Sequence, residues 1–369
     1  MPDGLTRYAS MTRKQASLIL VCLCAFIAYA LTVTPRRTLI PRSYNAEHAD
    51  KGDKALYQRT IARIHAGEDY YSALGGVLRA DGRPTTSVLN WRTPLHLTAM
   101  AFLPNLVWAQ VILGGLAAFA LILAFNIMAE GKYAALAVLQ TLLMLGTLLV
   151  CFTDVGLFFP EIWAGVLIAV SLGAYATRLR PLAIGMALLA LFVRELALPY
   201  VLVCGLLAYR AKRRTETLVF TIGLVAYIAY FAAHVAKVNS AILVGDVANP
   251  AGWVQFGGVG FLLRATCVGW LMILPPWITA VYLPISVLGL AGWNHAVAQR
   301  ALLTVIAYLA AFSIVGHSVN LYWGALYTPI LTFGAAIGIV ALYELIHAVL
   351  PDGKIAPKVG ANPPGPQAA

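Results

Sequence analysis

Arg194 and Glu195 stand side by side in "LALFVRELALPYVL" (189–202), where the other residues suit lipid. These two types can hold an anion and move a proton. A guanidinium binds two phosphate oxygens at once. A carboxylate of ordinary pKa is ionised at neutral pH and accepts a proton. Ionisable groups at membrane depth usually face a bundle interior and mark a functional path. The plainer alternative is a self-neutralising pair that pins a turn. Neighbours in a helix do not face each other well, so separate partners are expected for the two. Glu161 follows Pro160 at the start of another apolar run, where a carboxylate also suits a helix N-terminus. "HSVNLYWG" (317–324) gathers His317, Asn320, Tyr322 and Trp323, either as a polar site or as an aromatic belt. Asp50, Asp53, Asp154 and Asp246 fall in polar connections.

The elements that must position these groups are apolar. The chain has 369 residues, 60% hydrophobic and 11% charged, with mean hydropathy +0.79. Soluble domains carry roughly 25% charged residues. The composition therefore gives an all-α, polytopic transmembrane bundle, with the first apolar run kept as a span. The net charge of +11 is spread over short loops. It is explained by asymmetry across a membrane and not by nucleic-acid binding. Cys22, Cys24, Cys151, Cys204 and Cys267 lie in or beside apolar runs and suggest neither a disulfide framework nor a metal site.

A span needs about 20 apolar residues. Candidates lie at 15–33, 105–128, 133–152, 161–177, 216–238, 277–292, 301–316 and 323–348, and 257–273 reads as a re-entrant or interfacial helix. The stretch 181–209 lies between "RLR" and "RAKRR", two basic flanks that belong on one side. It is expected to go up and back as a short hairpin with Arg194 and Glu195 at the tip. One long tilted helix is the alternative. The hairpin gives about ten crossings with both termini cytoplasmic. Residues 35–95 and 239–256 then face outside, and 210–214 and 351–369 face inside. A single transmembrane unit runs to 350, and the Pro/Gly-rich tail 351–369 is expected to be disordered. No internal repeat is evident, which disfavours inverted-repeat transporters.

Within the long outer segment, "DKALYQRTIARIHAGEDYY" (53–71) spaces Leu56, Thr60/Ile61 and Ile64 on one face with Arg59 and Arg63 opposite. This predicts a short amphipathic helix on the outer membrane surface, stopped at Gly67, with Tyr70 and Tyr71 at interface depth.

The order "D-x-x-x-Y…G-x-x-Y-Y…W-R-x-P" (Asp53, Tyr57, Gly67, Tyr70, Tyr71, Trp91, Arg92, Pro94), then "EIWAGVL" (161–167), "RELALPY" (194–200) and "NLYWGALYTPIL" (320–331), resembles the GT-C class of bacterial integral-membrane glycosyltransferases. The resemblance covers roughly 40–335. It departs from the pattern in two ways: the first-loop acids Asp50 and Asp53 are three apart, and His317 stands where an arginine is expected.

The resemblance implies an inverting enzyme of the inner membrane with its active site on the periplasmic or outer face. It would move a sugar from a polyprenyl-phosphate donor to a hydroxyl of a glycan, lipid or protein acceptor. Asp53 would be the base, with Asp50 in reserve. Arg194, Arg92 or His317 would hold the leaving phosphate, while Glu195, Glu161, Asp154, Tyr57 and Tyr322 would complete the substrate site. No cofactor is implied, and the one cation site the acids allow lies between Asp53 and Asp154. A lipid-linked sugar carrier and a non-catalytic scaffold are the competing readings.

Overall fold

The computed structural model describes residues 5–34, 52–130, 133–248, 252–267, 269, 271 and 274–350. Asp50 and the tail 351–369 lie outside the described residues. The helices, in chain order, are α1 (Arg13–Val33), α2 (Asp53–His65), α3 (Tyr70–Ala80), α4 (Leu95–Ala101), α5 (Leu106–Ala129), α6 (Ala134–Leu148), α7 (Asp154–Phe158) and α8 (Pro160–Ala176). They continue with α9 (Arg180–Val193), α10 (Leu198–Arg210), α11 (Arg214–Ala241), α12 (Gly258–Thr266), α13 (Trp277–Gly292), α14 (Ala298–Ile314) and α15 (Thr328–Val349). Among the described residues there are isolated β-bridges but no named strand.

Five helical segments are long and apolar enough to cross a membrane, namely α1, α5, α6 with its following turn, α11 and α15. Their outward faces are apolar as well: Leu18, Val21, Val107, Leu142, Ile222 and Ile228 are all exposed. A surface apolar both inside and out fits a bilayer as solvent. α8 is buried on nearly every side and forms the centre of the bundle.

α13 and α15 meet through glycine. A Cβ on Gly289 would lie 1.9 Å from the Gly334 carbonyl oxygen, and one on Gly334 would lie 2.0 Å from that of Ser286. Gly334 and Gly338 form the G-x-x-x-G spacing that lets helices in lipid approach backbone to backbone.

The stretch 181–209 is a reversal. α9 ends where Arg194 turns extended (φ −150°, ψ 121°), a single 3-10 turn follows at Glu195–Ala197, and Pro199 opens α10. The two flanks return to one end of the bundle. There the Tyr175 hydroxyl donates to Glu216 Oε1 at 2.7 Å, and the Arg300 guanidinium sits 3.4 Å over the Tyr175 ring. A single long helix would hold these flanks apart. The turns on either side of the hairpin are alike. Arg178 (φ 64°) and Lys212 (φ 55°) each take the left-handed conformation after a helix. Leu179 N–H then bonds the Ala174 carbonyl and Arg213 N–H the Ala208 carbonyl. Such C-caps favour glycine, and an L-residue there costs roughly 1–2 kcal/mol.

At the other end α2, α3 and α4 form a folded layer with its own core of Leu56, Tyr57, Ile61, Leu74, Leu78, Trp91 and Leu97. This corrects two expectations. The apolar face of α2 packs on protein, not on lipid, because a second helix, α3, covers it. Tyr70 is buried and donates to the Arg92 carbonyl, so it is core and not an interface residue. Gly67 does end the helical stretch, at φ +96°. The layer is laced by ion pairs, Arg59 with Asp81, Arg63 with Glu68 and Arg79 with Asp246. The two-pronged Arg79 contact, with the Leu243 N–H, holds the Asp246 carboxyl well below the usual range.

The segment before α1 is also ordered. Leu5 and Thr6 N–H groups donate to Glu344 near the end of α15, and Tyr8 is buried.

Candidate functional site

Between the α2–α4 layer and the bundle lies a cavity of about 850 Å³. Asp53, Tyr57, Arg92, His317 and Tyr322, all expected in the site, line it together. D-x-x-x-Y puts Asp53 and Tyr57 one turn apart on the same face of α2. Arg92 comes from the W-R-x-P segment, in which Trp91 is the anchor. Its indole N–H donates to the Thr85 carbonyl at 2.7 Å, and Gly75 leaves room for the ring. The anchor fixes the next residue over the cavity.

Arg92 Nε donates to the Tyr57 hydroxyl at 3.1 Å, Nη2 to the Tyr322 hydroxyl at 3.3 Å and Nη1 to the Leu89 carbonyl at 2.9 Å. Asn320 donates to the same Tyr322 oxygen at 3.1 Å. Phe159 packs against both tyrosine rings. Burial pushes the Tyr57 and Tyr322 phenols up, against the pull of Arg92, so both remain hydroxyls. Among the described residues no carboxylate lies within ion-pair distance of Arg92. The cavity wall thus presents a half-buried guanidinium whose nearest side-chain partners are neutral hydroxyls. His317 packs edge-on to Trp253, with 4.8 Å between ring centroids, and its backbone N–H donates to Asn320 Oδ1.

Asp53 is the first residue of α2. Gly52 is the N-cap, with no side-chain cap bond, so the aspartate does not cap its own helix. Its carboxylate pairs instead with Arg83, also on the cavity wall. Asp154 pairs with Lys54, which lowers its pKa, and it is largely exposed. Each of the two aspartates therefore faces a base. Among the described residues no three His, Cys, Asp or Glu gather as a metal would require. Lys54 and Arg83 were not singled out from the sequence. Lys54 meets Asp154 across 100 positions and Arg83 meets Asp53 across 30, so no local pattern marks these cavity contacts.

Arg194, Glu195 and Glu161 do not line the cavity, but Glu161 lies within electrostatic reach of Tyr57, Arg92 and Tyr322, which do. Arg194 is 2% exposed in its side chain, its Nε 2.8 Å from Glu161 Oε1, and Nη1 donates to Glu195. The two neighbours do pair, contrary to the helical expectation, because Arg194 has already left the helix. Glu161, in the first turn of α8, is fully buried. Neither of its oxygens has an aligned hydrogen bond, so charge alone compensates it. Two carboxylates around one guanidinium leave the cluster one negative charge in excess when all three are ionised. Arg92 is within electrostatic reach of Glu161 and Glu195. The cluster's excess negative charge thus favours the positive charge of Arg92 on the cavity wall.

Set against known proteins, the chain matches no family model, no curated protein and no solved structure.

Proposed function

We propose that the protein is a membrane glycosyltransferase of GT-C type with about ten crossings in a bacterial inner membrane. It moves a sugar from a polyprenyl-phosphate donor to an acceptor hydroxyl on the extracytoplasmic side. The observation that carries this reading is Arg92, a cavity-wall guanidinium with no acid partner among the described residues, in the same cavity as the Asp53 carboxylate. An anion receptor and a proton acceptor are the two parts that inverting transfer needs. As the acceptor oxygen bonds to the anomeric carbon, its proton passes to Asp53. The bond from that carbon to the phosphate oxygen breaks with its electron pair. Arg92, Tyr57 and Tyr322 then face the charge that grows on the departing lipid phosphate. Arg83 orients Asp53. The role earlier weighed for Arg194 as the phosphate contact passes to Arg92, because both carboxylate neighbours already occupy Arg194.

Purified protein in liposomes, given a polyprenyl-phosphate sugar and an acceptor, should transfer the sugar. Transbilayer movement of the donor without transfer would favour a carrier instead. Replacing Arg92 by leucine should weaken donor binding roughly 10–100-fold by calorimetry, the worth of a hydrogen bond to a charged group. Undiminished affinity would remove Arg92 from the phosphate site.

The orientation is tested by cysteine labelling from the outer face. Gly82 and Lys212 are poor positions because both are left-handed. Exposed Ala80 and Ala211 beside them are ordinary. Ala80→Cys should react and Ala211→Cys should not; labelling of the latter would overturn the proposed sidedness.

A further inference from the structure

The end of the bundle opposite the cavity differs in how its bases are used. In the α2–α4 layer, Arg59, Arg63 and Arg79 each have a carboxylate partner. In the two turns flanking the hairpin, Arg178, Arg180, Arg210, Lys212 and Arg214 are exposed and none has an ion pair among the described residues. Nearby Glu216 is buried and already engaged by Arg213, Arg300 and Tyr175. The hairpin brings the turns together, so five unpaired bases share one surface.

Two local features are unfavourable in the protein alone. Arg178 and Lys212 occupy left-handed positions where glycine is preferred. Arg180 and Arg214 open α9 and α11, placing positive charge at the positive ends of the helix dipoles. The same two costs recur at both turns, and a bound anion would offset the electrostatic one. What the anion belongs to follows from the neighbours. Leu179 lies between Arg178 and Arg180, and Tyr209 precedes Arg210. Leu206 and Leu218 flank the second turn, and all four are exposed. Exposed apolar side chains directly beside the bases set the guanidinium groups at headgroup depth, with the aromatic ring at the interface.

We propose that the paired turns 177–181 and 210–214 form a binding surface for the headgroups of anionic phospholipids. It is separate from the cavity and independent of the reaction proposed there. Phosphates seat against the dipole ends of α9 and α11 and the bases at their starts. The hairpin is thereby held at its open end by lipid as well as by the Tyr175–Glu216 bond.

The test uses the full chain in nanodiscs of mixed phosphatidylcholine and phosphatidylglycerol. Lipid retained on the protein after transfer to detergent is quantified by mass spectrometry. Wild type should enrich phosphatidylglycerol over the input ratio by about fivefold or more, and high salt should reduce this. Arg180→Gln/Arg214→Gln should lose most of the enrichment. Arg178→Gly/Lys212→Gly should lose part of it, yet unfold at a higher temperature than wild type in pure phosphatidylcholine, because glycine relieves the left-handed positions. Retention in the input ratio by wild type would overturn the proposal. So would unchanged enrichment in the glutamine variant, a glycine variant less stable in phosphatidylcholine, or full competition by inorganic phosphate.

Discussion

Asp53→Asn is expected to slow sugar transfer roughly 10²–10⁴-fold, the range for loss of a general base. Donor affinity and folding should stay near wild type. The structural cost is small: the aspartate makes no capping bond, and its pair with Arg83 is partly exposed on both sides. Such a pair is worth about 0–1 kcal/mol. A rate loss with normal unfolding and normal donor binding thus separates chemistry from structure. Arg83→Gln serves as the control. It removes the ion pair and leaves the carboxylate, so it should slow transfer much less than Asp53→Asn. Near wild-type transfer by Asp53→Asn, with an inactive Asp50→Asn, would move the base to Asp50. Activity in both single variants and in the double variant would take the loop out of the chemistry.

The other large effect is expected in stability. Arg194→Met strands the buried Glu161 and the half-buried Glu195 without their cation, and Glu161 has no aligned hydrogen bond to fall back on. Removing one member of a buried ionic cluster costs about 3–5 kcal/mol. That is a large share of a typical native stability of roughly 5–15 kcal/mol. Denaturant unfolding in detergent should show it as a lowered midpoint. Arg194→Lys should recover part of the loss, since the charge stays and the fork geometry goes. The double variant Arg194→Met/Glu161→Gln should be less destabilised than the single charges predict, because the two act as one unit. An Arg194→Met protein as stable as wild type would mean that the cluster is not the ionic support described. A well-folded Arg194→Lys protein that had lost donor affinity would return the phosphate role to Arg194.

The long apolar helices were legible from hydropathy, because a bilayer demands runs of that length whatever the packing. The hairpin was legible in part: basic flanks on both sides of 181–209 favoured a reversal over one long tilted helix, and the Tyr175–Glu216 bond joins those flanks. α3 was not legible. "SALGG" weakens helix propensity, so the helix rests on the Asp69 N-cap together with packing against α2, Trp91 and α11. Nor was the pairing at the tip, since a residue that has left the helix obeys different neighbour rules from one inside it. The cavity's Lys54 and Arg83 depend on contacts far apart in the chain. The W-R-x-P spacing carried more than it seemed to, since Trp91 anchors the residue that the cavity uses.

The hairpin's arms have 14 and 13 residues. At 1.5 Å per residue they rise only about 20 Å, against a hydrocarbon core of about 30 Å. In the proposed orientation this side of the protein is hydrophobically mismatched with its membrane. Leu189, Leu198 and Leu202 on the arms are exposed, so lipid meets the short side directly. The leaflet there must thin to follow them, at a fraction of a kcal/mol per Å. Beside the Arg194 tip, the polar boundary of the membrane then dips toward the midplane. A lipid-borne headgroup approaching along that depression stays closer to water than it would elsewhere in the bilayer. Under the proposed function, such a flank would serve as a lateral entrance for the donor, set by helix length and independent of any one side chain.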